Sequence, residues 1–195
     1  MDRRIARTKA AVRQATLELL GSRGYAAFSV EGVGQLAGVA KSTIYRHWPT
    51  KLGLIADSLE TLNEQPQPDI SATTARGQVA QLIDHLVDAF ADSLLSACIP
   101  ALVEAAEHHD EVAEFLHTYS ARRRQTLTDT IQRGIDGGEL SGAIDAELAA
   151  LALSGTVVYR RVLSPSPLSV EEGRRIVELV LGPVSTSTHD AGRQC

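Results

Sequence analysis

From residue 4 to residue 181 the apolar side chains return every three or four positions, and strand-like alternation is scarce. Val12, Ala15, Leu19 and Leu20 make an early stripe of this kind, and Leu148, Leu151, Ala152, Gly155, Val158 and Tyr159 make a late one. A repeat near 3.6 covers one side of a helix, whereas a strand needs a repeat of two. The chain is therefore expected to be all-α. With 195 residues, 44% of them apolar, it can bury a substantial core and is too apolar for wholesale disorder.

Breaks in the pattern divide it into about nine helices. The first is expected over 4–22, with Gly21 and Gly24 as nearby stop signals. Ser29 is a good cap for a short second helix whose apolar side is Val30, Val33, Leu36 and Ala37, and Gly38 ends it. A short turn leads to a third helix over 41–48. Pro49 stops that helix, and Thr50 can cap a fourth over 51–63. Gln65-Pro-Gln-Pro-Asp69 is polar and proline-rich, so a boundary is expected there. This gives a head at 1–50, a connecting helix at 51–63 and a body at 64–195. Five more helices are expected in the body at 74–94, 97–108, 110–136, 145–163 and 169–181, with Pro100 near a helix start or at a kink.

The head is basic and the body acidic. Residues 1–60 hold nine Lys/Arg against five Asp/Glu, and the remainder holds ten against nineteen. Such a split suits a head that meets a polyanion. The segment Gly38-Val-Ala-Lys-Ser-Thr-Ile-Tyr-Arg-His-Trp-Pro-Thr-Lys51 concentrates the relevant groups. Ile44 and Trp48 fall on one face at i, i+4 and can plug into a core. Lys41, Ser42, Thr43, Tyr45, Arg46 and His47 occupy the other faces. Two short helices joined by a glycine-containing turn form a helix-turn-helix, whose second helix enters the DNA major groove. Thr50 and Lys51 open the next helix, where backbone N–H groups and a cation suit a phosphate, and Ser29 opens another.

The ordered run Gly24-Tyr25, Phe28-Ser29-Val30 and Leu36 through Lys51 resembles the DNA-binding head of the tetracycline-repressor (TetR) family of bacterial regulators. The resemblance spans residues 6–59. The body matches more loosely, in helix number and in Arg133-Gly-Ile-Asp-Gly-Gly-Glu-Leu140. It implies phosphate contacts from Ser29, Tyr45, His47, Thr50 and Lys51, and base-edge or near-base roles for Lys41, Ser42, Thr43 and Arg46. Ala40 departs from the family, where many members carry a hydroxyl able to cap the third helix. Either Ser42 or Thr43 serves instead, or the helix start frays. Trp48 is expected in the core and Tyr45 partly packed. Arg3, Arg4, Arg7 and Lys9 either reach the minor groove or adjacent phosphates, or form a frayed terminus.

The family also implies a homodimer, pairing its last two helices, and a small-molecule effector bound in the body. Dimer candidates are Leu148, Leu151, Gly155, Val158 and Tyr159, with Ile176, Leu179 and Val180 in the last helix beside Val177 and Leu181. The alternative is that these stripes face only their own core. Pocket candidates are Leu82, Leu86, Phe90, Leu102, Phe115 and Tyr119, with His85, His117 and Arg123 as polar anchors; Leu116 and Leu127 also point inward. An acidic body suits a neutral or cationic apolar effector. His108, His109, Asp110, Glu114 and His117 fit a solvated polar face better than a metal site, since no HExxH or paired-Cys pattern accompanies them. Cys98 reads as a buried thiol.

No catalytic constellation, cofactor or metal is expected. The most apolar window, 146–158, is too short and interrupted to span a bilayer, so a membrane partner is not expected and a cytoplasmic location is. The expected function is a one-component transcriptional regulator, a repressor, that binds a palindromic double-stranded DNA operator as a homodimer and responds to a small molecule. The alternative is a helical small-molecule-binding protein or enzyme with a vestigial head.

Overall fold

A computed structural model describes residues 3–63, 70–91, 93–164 and 166–183, and among these the only regular elements are helices. The boundary expected at Gln65–Asp69 lies outside the described residues.

Helix α1 (Arg3–Ala27) runs past its expected end, because the chain resumes helical geometry after a single break at Gly24 (φ 74°, ψ 173°). That positive φ favours glycine. The extra turn carries Tyr25 into the core. Helix α2 (Val30–Ala37) starts where Ser29 Oγ accepts the Gly32 N–H at 3.1 Å and ends at left-handed Gly38. Leu36 corrects the expected apolar side, since it is 53% exposed. At about 100° per residue it lies about 110° round the helix from the centre of the face that Val30, Val33, Gly34 and Ala37 share. The inward place goes instead to Gly34, where an added Cβ would lie 2.7 Å from the Val39 carbonyl oxygen. Helix α3 is Lys41–His47, with Trp48 as its C-cap. In front of α4 (Lys51–Asn63), Thr50 Oγ1 accepts the Gly53 N–H at 2.9 Å. Helices α1, α2 and α4 enclose Val12, Leu20, Val33, Ile44, Leu54 and Ile55.

The body comprises α5 (Ala75–Ala91), α6 (Leu94–Ala106), α7 (Asp110–Asp136), α8 (Ala146–Leu163) and α9 (Val170–Leu181). Their boundaries fall close to the expected ones, except that α5 stops three residues early and α6 starts three residues early. Ser93 is the reason: its Oγ accepts the Ser96 N–H at 3.1 Å and so opens α6. Pro100 consequently sits inside α6 and not near its start. Ser169 and Glu172 cap each other's backbone N–H at the start of α9. Helix α5 packs on α7, α8 and α9, and Arg76 donates to the carbonyls of Leu181 and Gly182 at the end of α9.

Head and body meet chiefly where α1 lies along α6. Gly21 permits the approach, since a Cβ there would fall 2.8 Å from that of Ala97. The Cys98 thiol donates to the Leu17 carbonyl at 3.4 Å. Among the described residues no single helix is long and apolar enough to cross a membrane.

Candidate nucleic-acid interface

A seven-residue helix cannot stand alone in water, so α3 depends on what braces it. Ile44 and Trp48 are both buried beneath it. The Trp48 indole N–H donates to Asp57 of α4 at 2.7 Å, and the same carboxylate accepts from Arg13 of α1, Nε at 2.8 Å and Nη2 at 3.1 Å. Three helices are therefore tied at one carboxylate. Burial pushes the Asp57 carboxyl up, but the bonds from Arg13 and Trp48 and the charges of Arg13 and Lys9 outweigh it and hold it below the usual carboxylate range. Sequence reasoning missed Arg13 and Asp57. The available signal was an acid amid the apolar residues of α4 in a basic head.

With Ile44 and Trp48 held inward, Lys41, Ser42, Tyr45, Arg46 and His47 are exposed, and Thr43 is half-buried. Lys41 pairs with Glu31 of α2 and lies 5.6 Å from the Tyr45 ring centre. The hydrogen bond between the two is the main reason that the Glu31 pKa is lowered and the Lys41 pKa raised. His47 meets Trp48 edge-on, with ring centres 5.7 Å apart. Ser29 and Thr50 are exposed at the starts of α2 and α4, with their hydroxyls already accepting one backbone N–H each.

Lys51 is half-buried. Its ammonium donates to the Tyr25 carbonyl at 2.7 Å and sits 3.7 Å from the Tyr25 ring centre. Burial pushes its pKa down, while the charge of Glu111 works in the other direction. An ammonium has three N–H donors, so two remain for other acceptors. Arg3, Arg4 and Arg7 belong to α1 itself, so the basic terminus is helical from Arg3 and not frayed there. Ala40, in extended geometry before α3, makes no side-chain cap, and neither Ser42 nor Thr43 takes that place.

In the body the nine pocket candidates separate. Leu102 is fully buried, and Phe90 and Tyr119 nearly so. Leu82, His85, Leu86 and Phe115 are half-buried, with Phe115 and Tyr119 ring centres 5.7 Å apart. His117 and Arg123 are exposed on α7, which takes these two polar anchors out of an interior site. Leu116 is half-buried and Leu127 buried. A cleft of about 200 Å³ opens elsewhere, between the start of α6 and the end of α8, and none of the nine lines it. The Cys98 thiol is buried, which pushes its pKa up to about 12. Among the described residues no three His, Cys, Asp or Glu converge as metal ligands.

The dimer candidates lie on two helices that pack against each other, α8 and α9. Leu148 (64% exposed), Leu151, Gly155 and Tyr159 (59%) lie along the outer face of α8, where a Cβ at Gly155 would meet nothing within 4 Å. Leu179 is 81% exposed on neighbouring α9, and Val158, Ile176 and Val180 are half-buried. Val177 and Leu181, by contrast, are buried in the protomer's own core.

Two family models match this chain. One, for bacterial regulatory proteins of the tetR family, covers residues 12–57; the other, for the tetracyclin repressor-like C-terminal domain, covers residues 71–180, more than half of the chain. The chain belongs to the TetR family. It is 28% identical over 162 residues to the uncharacterized HTH-type transcriptional regulator YdeS of Bacillus subtilis, covering 80% of this chain and 79% of that one. The DNA-binding transcriptional repressor TetR of Mycobacteroides abscessus is 25% identical over 173 residues, covering 88% and 90%. Solved structures share the fold. The fatty acid degradation regulator FadR of Bacillus halodurans superposes with a TM-score of 0.75 at 20% identity, covering 90% of this chain and 98% of that one. FadR of Bacillus subtilis, solved in complex with stearoyl-CoA, gives 0.73 at 22%, covering 89% and 97%. At these identities the structures speak for the TetR-like fold alone.

Proposed function

We propose that this TetR-family protein is a one-component repressor in the cytoplasm. It binds a palindromic duplex operator as a homodimer, and a small molecule bound in the body changes its DNA affinity. The division of labour follows residues 1–50 as the reading head, 51–63 as the connecting helix and 64–195 as the effector and dimer domain. One observation carries the DNA-binding part: α3 is pinned from behind by Ile44 and Trp48 and turns Lys41, Tyr45, Arg46 and His47 outward. A helix so presented matches the width of the major groove, with Ser29 and Thr50 positioned for flanking phosphates.

The test is retention on duplex DNA across a salt series, with wild type, Tyr45→Ala and Arg46→Ala. Each lost phosphate contact is expected to reduce the log–log salt slope by about 1, and a lost base contact to cost about 1–3 kcal/mol at a selected site. Tyr45 and Arg46 are the cleaner probes, because Lys51→Ala would also remove the support it gives to Tyr25. Retention that is negligible and independent of salt would instead favour a binding protein with a vestigial head.

A further inference from the structure

The cleft between the start of α6 and the end of α8 differs chemically from the acidic body around it. Its lining includes Ser93, Ser96, Ala97, Arg161, Ser164 and Ser166, and no described carboxylate. Two adjacent arginines at the end of α8 have different fates. Arg160 pairs with Glu172 at 3.3 Å. Among the described residues the half-buried Arg161 donates only from Nε to Ser96 Oγ, and Ser96 in turn donates to the Phe90 carbonyl at 3.0 Å. That arrangement fixes the guanidinium while its Nη groups bond to no described residue. The Ser164 and Ser166 hydroxyls are likewise uncommitted among the described residues.

Arg161 has no counter-ion among the described residues, and an oxyanion meets a guanidinium fork with parallel charge-assisted bonds. Size restricts the ligand further. At about 200 Å³ the cleft lies below the range of about 300–1,000 Å³ that holds drug-sized molecules. We propose that this cleft binds a small oxyanion, a short-chain carboxylate or a phosphate, held by Arg161 and the Ser164 and Ser166 hydroxyls. The inference deepens the effector reading above and rests on it for regulation. Ala97 lines the cleft and also abuts Gly21 of α1, so an occupant would bear on the contact between body and head.

The test uses the full-length protein, titrated calorimetrically with sodium butyrate and with inorganic phosphate at constant chloride. One of the two anions is expected to saturate at one per chain, and which one saturates distinguishes the two ligand classes. Arg161→Met should weaken binding tenfold or more. Arg161→Lys, which keeps a point charge but loses the fork, should bind the saturating anion more weakly than wild type and more tightly than Arg161→Met. Ala91→Leu should block the cleft while leaving Arg161 intact, and it decides the matter should Arg161→Met fail to fold. The site is overturned if neither anion saturates, or if either Arg161→Met or Ala91→Leu binds like wild type. The saturating anion should also change wild-type affinity for duplex DNA threefold or more; unmoved duplex affinity would overturn the effector role. Loss of duplex binding with anion binding intact would remove the repressor reading and not the cleft.

Discussion

At the scale of single residues, Asp57 ties the reading head together. Its carboxylate accepts from the indole of Trp48 and from two N–H groups of Arg13, so it fixes the end of α3 to both α1 and α4. Its folded pKa is depressed below the ordinary value of 3.8. Stabilisation from a depressed carboxylate is fully present above the unfolded pKa and is lost as pH falls through the folded one. Asp57→Asn is therefore expected to lower the thermal midpoint at pH 7, with the deficit shrinking below about pH 4. The carboxylate is partly open to water, so a discounted cost of about 1–2 kcal/mol is expected at pH 7. Circular-dichroism melts across a pH series would read it. A deficit of constant size from pH 7 to pH 3 would show that the loss is steric and not charge-linked.

At the scale of elements, the sequence marks helices well and their neighbours poorly. The outward face of α3 was legible because Ile44 and Trp48 sit four apart, and the caps Ser29 and Thr50 are local chemistry. Asp57 was not, because Arg13 lies forty-four residues away along the chain, and a 3.6 repeat reports a face without saying what meets it. Leu36 and Gly24 have the same explanation: Gly34 took the inward place on α2, and packing of Tyr25 carried α1 past a glycine that reads as a stop. The polar anchors His117 and Arg123 lay on the outer side of a helix whose register against its neighbours the sequence does not state. Local chemistry still makes one firm prediction. Ala40 stands in cap geometry (φ −62°, ψ 138°) before α3 without a side-chain acceptor. Ala40→Ser would supply one to a free N–H of the first turn, worth about 1 kcal/mol. The thermal midpoint should rise by about 2–4 °C at this chain length. An unchanged midpoint would mean that the first turn of α3 is already satisfied in solution.

At the scale of the whole molecule, a palindromic operator asks for two heads at a fixed spacing, and one protomer supplies one. The heads are not loosely tethered, since α1 lies along α6 with Gly21 against Ala97, so head spacing should follow the body. What joins two bodies is then the decisive element. Helices α8 and α9 leave Leu148, Leu151, Tyr159 and Leu179 outward while Val157 and Val177 fill the protomer's own core. Large apolar groups left exposed on two adjoining helices are the expected mark of the proposed dimer interface. Leu179→Asp separates association from folding because Leu179 contributes little to the core, whereas half-buried Val158→Asp would disturb both. Analytical ultracentrifugation should give a species near the chain mass of 20.9 kDa for Leu179→Asp and twice that for wild type. Its operator affinity should fall by an order of magnitude or more with its thermal midpoint little changed. Tyr45→Ala, in contrast, should sediment as a dimer while failing on DNA. If Leu179→Asp also sediments as a dimer, α8 and α9 do not form the interface, and the two heads must be held together by some other surface.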